Sequence, residues 1–331
     1  MSGWVVTRPF PDSNVGSNLA SLAGALWLAQ RLSRSVVVDW RGLSQLPDPE
    51  RNYFTEFFEA PPALAGVAVS YAPPAPDDDA AAWLSPGEAR AVATGAAAEP
   101  EATIVLQPYH GLDRLHPGPE PERLRLLRSL YRELRPSPEV RAKADTWWDE
   151  HTHGAFVVGV NVRTGNGHYF GKGGTYASRV DISIFENRQR FLRVLEKACR
   201  RRTKSLPPEQ RDEAVVYYAT DAEWMSELLA ELPNAVTRRA VYPPQGTGDT
   251  YGFADDLAAA RASIVDTLAD MFLLARCDAL IYNGSLFNQY ARVVTENFGG
   301  NQVHIETLFF RTRSRHLAAA ARRRLPGIRS G

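Results

Sequence analysis

Short apolar runs alternate with longer amphipathic segments along most of the chain. The runs "WVVTRP", "SVVVDW" and "ATIVLQPY" are typical of buried strands, and "NVGSNLASLAGALWLAQRLSR" carries apolar residues at helical spacing. The order strand, glycine-containing turn, helix and strand predicts a βαβ unit at the start of the chain. The first part of the sequence therefore indicates an α/β fold with parallel strands.

A second alternating series begins at Gly154. Strands are predicted in "AFVVGVNVR", "EAVVYYATD", "DALIYNG" and "NQVHIE", with amphipathic helices between them. We therefore predict two Rossmann-like α/β halves with a cleft between them, an N-terminal acceptor-side domain at 1–150 and a C-terminal nucleotide-sugar domain at 151–310. A basic helix or tail is expected at 311–331.

Composition narrows the class of protein. The 331 residues are 44% hydrophobic, and 38 Lys+Arg balance 38 Asp+Glu, so no overall charge favours a nucleic-acid partner. Cys199 and Cys277 lie far apart, without the spacing of a metal site or disulfide framework. With no signal-like start and no long apolar stretch, we expect no membrane span and a cytoplasmic protein. The preference for Arg and Ala favours a GC-rich bacterial genome.

Polar residues follow several of the predicted strands. Because ligands bind outside the carboxyl ends of parallel strands, these residues are the candidate site. They are Arg163, Asp221, Asn283 and Ser285 in the second half, and Asn14, Gly16 and Asn18 after the first strand.

The chemistry of these residues suits a nucleoside diphosphate. Arg163 offers a planar fork of donors for phosphate oxygens, and the glycines that follow it let backbone N–H groups approach an anion. Ser285 lies where a helix N-terminus would favour a phosphate. Asp221 could accept both donors on the Watson–Crick edge of guanine. We therefore expect a pocket with the carboxylate at its base-binding end.

Each of these residues also has a structural interpretation. Arg163 could be an ion-pair partner at a strand end, Asp221 the N-cap of the helix "AEWMSELL", and Ser285 a cap as well. Asn14 and Asn18 could serve a turn and a cap. No zinc, P-loop, dinucleotide or nucleophile-elbow motif is present. The triplet Asp77–Asp79 lies in a Pro-rich loop and is more typical of a solvated loop than of a metal site, so we expect no metal and no cofactor.

Four segments resemble the NodZ-type and α1,6-fucosyltransferase family. They are "GSNLASLAGALWLAQRLSRSVVVDWRG", "GVNVRTGNG", "YYATDAEW" and "DTLADMFLLARCDALIYNGSLFNQYARVV". The resemblance implies a GT-B glycosyltransferase that uses GDP-fucose, inverts the anomeric carbon and needs no metal. It implies that Arg163 binds the diphosphate and is catalytic, that Asp221 holds the base, and that Ser285, Asn288 and Gln289 lie beside the phosphates. Gly165, Asn166 and Gly167 would complete the donor site.

The chain departs from that family at three positions. Asn161 stands where the family has histidine, Thr164 replaces a second arginine, and His168 replaces a carboxylate. A histidine can act as a general base near neutral pH, so His168 is a candidate base, a binding residue or part of a surface loop. The donor sugar is accordingly fucose or another hexose.

We therefore expect an enzyme that moves a sugar from a GDP-sugar to a hydroxyl of a small soluble acceptor, and the GC-rich composition favours a role in natural-product biosynthesis. Three alternatives stay open. They are a glycan or lipo-oligosaccharide fucosyltransferase, a nucleotide- or sugar-binding protein without turnover, and a metal-dependent transferase that uses Asp77–Asp79.

Overall fold

The computed structural model describes most of the chain. The described residues are 3–9, 15–43, 46, 50–72, 81–106, 111–164, 187–238, 242, 256–283, 286–295, 301–305 and 307–309, without the side chains of 286–288. Within these ranges no helix combines the length and the apolar character that crossing a bilayer requires.

The chain forms two compact units. The first comprises Met1–Asp149, Thr250–Arg276 and Ser285–Thr295, and the second comprises Glu150–Asp249, Cys277–Gly284 and Glu296–Gly331. The predicted division at residue 150 used a single boundary, whereas two later segments of the chain belong to the first unit. The tail at 311–331 lies outside the described residues.

The described ranges contain short strands and helices of very different lengths. The strands are β1 Trp4–Thr7, β2 Ser35–Val38, β3 Ala63–Leu64, β4 Val67–Ser70, β5 Ala82–Trp83, β6 Ile104–Leu106, β7 Val157–Val162, β8 Val215–Thr220, β9 Ala235–Val236, β10 Ala279–Tyr282 and β11 Gln302–His304. The helices are α1 Val15–Leu32, α2 Tyr53–Phe57, α3 Pro86–Ala93, α4 Leu112–Leu115, α5 Glu120–Glu133, α6 Pro138–Thr152, α7 Arg188–Arg202, α8 Pro208–Asp212, α9 Glu223–Leu229, α10 Leu257–Arg276 and α11 Leu286–Val294.

The first unit is built on a six-stranded sheet with the order β3-β4-β2-β1-β6-β5. All neighbours are parallel except β3 and β4, which pair as a hairpin. Ala65 and Gly66 connect that hairpin at φ of 50° and 77°, the positive values that a two-residue turn of this kind requires. In α1 every residue from Val15 to Ala29 is buried. This helix is therefore a core helix of the unit rather than a half-exposed one.

The second unit contains a five-stranded, all-parallel sheet with the order β11-β10-β7-β8-β9. The six residues of β7 are all buried, as expected for a central strand of a parallel sheet. Val158, Val160 and Val162 pack into a core formed with α7 and α9. Since side chains alternate along a strand, Asn161 lies on the opposite face of β7, and Arg163 directly follows the strand.

The α/β class predicted from the sequence is confirmed. The sequence did not predict several short helices and strands. These are α2, α3, α4, α8, β5 and β9, none longer than eight residues. Helix α2, in "NYFTEFF", consists largely of aromatic residues that favour strands. Its helical form depends on a cap, because Asn52 Oδ1 accepts a hydrogen bond from Phe54 N at 3.2 Å.

Asn52 also joins three segments of the first unit. Its Nδ2 donates to Val38 O at 2.6 Å and to Tyr71 O at 2.9 Å, and its Oδ1 accepts from Trp40 N at 3.3 Å. The amide therefore connects the ends of β2 and β4 to the start of α2. No hydrophobic side chain can replace this set, because it would leave backbone groups without partners.

Replacing Asn52 with Ala should lower the free energy of unfolding by about 3 kcal/mol, since several backbone groups lose their hydrogen bonds at once. The matched control is Ser85→Ala, which removes an exposed cap of α3 and should cost about 1 kcal/mol. Urea denaturation of both variants checks the difference. Equal losses would contradict the connecting role of Asn52.

Candidate functional site

Three of the predicted site residues lie together at the carboxyl edge of the second sheet. Strands β10, β7 and β8 are neighbours in that sheet, and they are followed directly by Asn283, Arg163 and Asp221. Because the three strands are parallel, their carboxyl ends lie side by side.

Asn283 holds the backbone of Arg163. Its Oδ1 accepts a hydrogen bond from Arg163 N at 3.0 Å, and its Nδ2 donates to Arg163 O at 2.6 Å. The Asn283 side chain is completely buried. Both main-chain groups of Arg163 are therefore fixed, while its side chain keeps 27% of its surface exposed.

Asp221 holds the next residue along the chain. Its Oδ1 accepts hydrogen bonds from Thr164 N at 2.7 Å and from Thr164 Oγ1 at 2.9 Å. Its Oδ2 lies 3.9 Å from Arg163 Nε, which makes a long ion pair. The N-cap of α9 is Ala222, so the interpretation of Asp221 as the cap of that helix is wrong. Asp221 instead fixes the turn that follows β7.

Thr164 is a site residue that the sequence did not single out for this role. It is 5% exposed and supplies both donors that Asp221 Oδ1 accepts. Its position next to Arg163 was the only signal, because a threonine after a strand has many uses. The arginine is thus held from both sides, by Asn283 through its own backbone and by Asp221 through Thr164.

Asn161 adds a buried acceptor two residues before Arg163. Its Nδ2 donates to Ala219 O at 3.1 Å, and the residue is 5% exposed. Within the described residues, Asn161 Oδ1 has no hydrogen-bond partner. A buried oxygen without a hydrogen-bond partner lowers the free energy of unfolding by about 1–3 kcal/mol, so the polar side chain at this position of β7 reduces stability.

Other predicted residues lie in the first unit. Gly16 and Asn18 are buried in the first turn of α1. Gln289 is on α11, where its Oε1 accepts a hydrogen bond from Tyr131 OH at 3.3 Å. Burial raises the pKa of Tyr131 well above its usual value, so its hydroxyl stays protonated and donates. Their role in binding a donor stays a prediction.

Several predicted residues lie outside the described part of the chain. They are Asn14, Gly165, Asn166, Gly167, His168 and Ser285, together with the side chain of Asn288 and the triplet Asp77–Asp79. Among the described residues, no group of three or more His, Cys, Asp or Glu side chains is placed to hold a metal ion.

The first sheet carries a charged cluster at its own carboxyl edge. Asp39, which follows β2, is 4% exposed; its Oδ2 accepts from Arg8 Nε at 3.1 Å, and its Oδ1 accepts from Arg41 Nε at 2.6 Å. Burial alone would raise the pKa of Asp39, but the hydrogen bonds and charges of Arg41 and Arg8 outweigh it and lower that pKa. The segment "VVDWRG" was the sequence signal for this cluster.

The NodZ family model, described as nodulation protein Z, matches residues 124–304, which is more than half of the chain. The chain belongs to the NodZ family. Nodulation protein Z of Sinorhizobium fredii (strain NBRC 101917 / NGR234) is 25% identical over 300 residues, covering 84% of this chain and 87% of that protein. Nodulation protein Z of Bradyrhizobium diazoefficiens is 26% identical over 303 residues, covering 84% of this chain and 76% of that protein.

Solved structures of two related enzymes have the same fold as this NodZ-family chain. NodZ α-1,6-fucosyltransferase soaked with GDP-fucose superimposes with a TM-score of 0.58 at 22% identity, covering 89% of this chain and 93% of that chain. POFUT1 in complex with GDP-fucose gives a TM-score of 0.52 at 12% identity, covering 92% and 97%. Together the comparisons confirm the predicted NodZ-like family, GT-B fold and glycosyltransferase class.

Removing the amide of Asn283 should cost more stability than removing the hydroxyl of Thr164. Asn283→Leu leaves two buried backbone groups of Arg163 without partners, and we expect a loss of about 3 kcal/mol. Thr164→Val keeps the backbone bond to Asp221 and should cost about 1 kcal/mol. Urea denaturation of both variants measures the order, and the reverse order would refute this account of the strand end.

The lowered pKa of Asp39 predicts an acid-sensitive contribution to stability. A carboxyl whose folded pKa is below its unfolded value, about 3.9, stabilises the fold above that value and loses the effect as the pH falls through its folded pKa. At pH 7, Asp39→Asn should therefore lower the unfolding free energy by about 2 kcal/mol, and the difference should shrink below pH 4. Urea denaturation from pH 7 to pH 3 tests this. A constant difference would contradict the ion-pair account.

Proposed function

We propose that this NodZ-family enzyme transfers a sugar, fucose or another hexose, from a GDP-sugar to a hydroxyl of its acceptor. The observation that carries the proposal is the position of Arg163. Its guanidinium is partly exposed at the carboxyl edge of a parallel sheet, while its backbone is held by Asn283. The NodZ and POFUT1 structures hold GDP-fucose, which supports a GDP-linked donor for this chain.

In the proposed reaction the acceptor oxygen attacks the anomeric carbon from the face opposite the diphosphate. The new carbon–oxygen bond forms as the bond from that carbon to the β-phosphate oxygen breaks, and the electron pair leaves with GDP. The configuration of the anomeric carbon is thereby inverted. The acceptor hydroxyl loses its proton to a general base, and His168 stays our candidate for that base.

Arg163 is proposed to stabilise the charge that develops on the leaving GDP. A guanidinium presents paired N–H donors to phosphate oxygens and keeps its charge at every physiological pH. Electrostatic stabilisation of this kind acts best when the donor is already in place before the reaction. The bonds from Asn283 to the Arg163 backbone fix the point from which this side chain extends. We infer that no metal ion is needed, because a fixed cation takes its role.

We propose that Asp221 binds the guanine base in addition to fixing the turn that follows β7. Its Oδ1 is engaged by Thr164, and its Oδ2 faces Arg163 at 3.9 Å. In the donor complex, we propose that Arg163 moves onto the diphosphate and that the guanine N–H donors take its place beside Oδ2. Gly16, Asn18, Gln289, Ser285, Asn288 and the glycine-rich segment after Thr164 complete our proposed donor site.

For the acceptor, we propose a small soluble molecule in a natural-product pathway, with the N-terminal half supplying most of its pocket and the reaction taking place in the cytoplasm. The related proteins are nodulation proteins of root-nodule bacteria. A glycan or lipo-oligosaccharide acceptor is the alternative that their name favours. Transfer assays with both acceptor classes distinguish the two.

Arg163→Ala should reduce turnover by about 100-fold or more, as expected when a key electrostatic donor is lost. Arg163→Lys is the matched control, because it keeps the charge without the paired donors and should recover part of the rate. GDP release from GDP-fucose and from GDP-mannose measures both variants. Near-normal turnover by Arg163→Ala would refute the proposed role, and tight GDP binding without any transfer would favour a binding protein.

The base-binding role of Asp221 can be separated from its structural role with two nucleotides. Inosine diphosphate lacks the 2-amino group of guanine, so the wild-type protein should bind GDP about tenfold more tightly. In Asp221→Asn this preference should disappear, because an amide cannot accept both donors. Calorimetric titration of both nucleotides measures the ratio. A weaker affinity with an unchanged ratio would assign Asp221 to the turn alone.

A further inference from the structure

A cavity lies at the opposite end of the second sheet from Arg163. Its volume is about 540 Å³, and it is bordered by the end of α7, the segment that contains α8 and the turn before β9. Val158 and Val216, near the amino ends of β7 and β8, belong to its lining. Its lining includes six apolar residues, of which Pro233 is exposed and the others, Val158, Cys199, Ala214, Val216 and Leu232, are buried.

Cations from different segments border this cavity. Arg200 is paired with Glu196 at 2.6 Å within α7, so this pair is neutral as a whole. Arg211, on α8, uses its Nε to donate to Leu206 O at 2.7 Å. Within the described chain, the side chains of Lys204 and Asp212 make no hydrogen bond or ion pair. Lys204 and Arg211 together therefore exceed the charge of Asp212 by one positive charge.

The wall of the cavity is fixed by Asn234. This residue has a φ of 53°, a left-handed conformation that asparagine tolerates better than most residues. Its Nδ2 donates to Asp212 O at 2.8 Å and to Ala214 O at 3.1 Å, and its carbonyl accepts from Val216 N at 3.0 Å. These bonds hold the connection from α8 to β8. The cavity is therefore formed without a ligand.

We propose that this cavity is a binding site for a small organic anion, with the acidic group toward Lys204 and Arg211 and an apolar body against Pro233, the exposed apolar residue of the lining. Its volume falls within the roughly 300–1,000 Å³ of small-molecule sites, which combine apolar lining with a few polar groups. Burial raises the pKa of Cys199 to about 12, so the thiol on the lining is uncharged at neutral pH. The site is separate from the proposed sugar transfer.

The competing interpretation is that these basic residues only complement the negative end of the α7 dipole. In that case any basic residue near that end would serve equally, and no ligand would be selected. Lys197 is an exposed lysine on the same helix outside the cavity, so it offers a matched control for Lys204. Removal of either lysine changes the net charge by the same amount.

The test is a fluorescence titration of the full-length protein with 8-anilinonaphthalene-1-sulfonate, an anion with an apolar body. We expect saturable binding at one site, about tenfold weaker in Lys204→Ala and unchanged in Lys197→Ala. Asp212→Asn should bind the probe more tightly, because a repelling charge is removed. Saturating GDP should leave the affinity unchanged, and circular dichroism checks that each variant is folded.

Several results would overturn the proposal. They are absence of saturable binding to the wild-type protein, equal weakening by Lys197→Ala and Lys204→Ala, no gain in Asp212→Asn, or displacement of the probe by GDP. If Lys204→Ala fails to fold, Asp212→Asn decides the question, because the Asp212 side chain makes no hydrogen bond or ion pair within the described chain.

Discussion

The backbone hydrogen bonds at the end of β7 are the interaction on which the site depends. A strand that ends at a sheet edge normally frees its following residues to move, yet here two neighbouring strands each contribute a side chain that prevents this. Asn283 binds the N–H and the carbonyl of Arg163, and Asp221 binds the N–H and the hydroxyl of Thr164. The sheet order β10-β7-β8 makes this possible, because it places one clamping residue on either side.

This arrangement holds the backbone of Arg163 and its side chain in different ways. The backbone of Arg163 is held by two hydrogen bonds from Asn283, while its side chain is partly exposed and forms a long ion pair with Asp221. The guanidinium therefore extends from a fixed backbone but can exchange one partner for another. This suits the binding of a substrate that leaves as a product. Asn161 is buried in β7 and, as far as the described residues go, its Oδ1 has no hydrogen-bond partner, so this strand carries a polar group that costs stability.

The sequence was sufficient where one physical rule dominated. Buried runs such as "VVGVNV" predicted the central strands, and their order placed Arg163, Asp221 and Asn283 at one edge. The sequence was insufficient where contacts between residues distant along the chain determine the local structure. Thr164 and Asp221 meet only because β7 and β8 are adjacent, and the alternative interpretation of Asp221 as a helix N-cap, which rests on local rules, is wrong because Ala222 holds that position. Helix α2 needs the distant contacts of Asn52, and the first unit includes α10 and α11 through packing that no local pattern records.

A crystal structure with GDP bound tests the central claim most directly. The account predicts that Arg163 leaves Asp221 and contacts an oxygen of the β-phosphate within hydrogen-bond distance, while both bonds from Asn283 to the Arg163 backbone persist. A diphosphate bound elsewhere, with the guanidinium still beside Asp221, would contradict the claim that this strand end holds the leaving group.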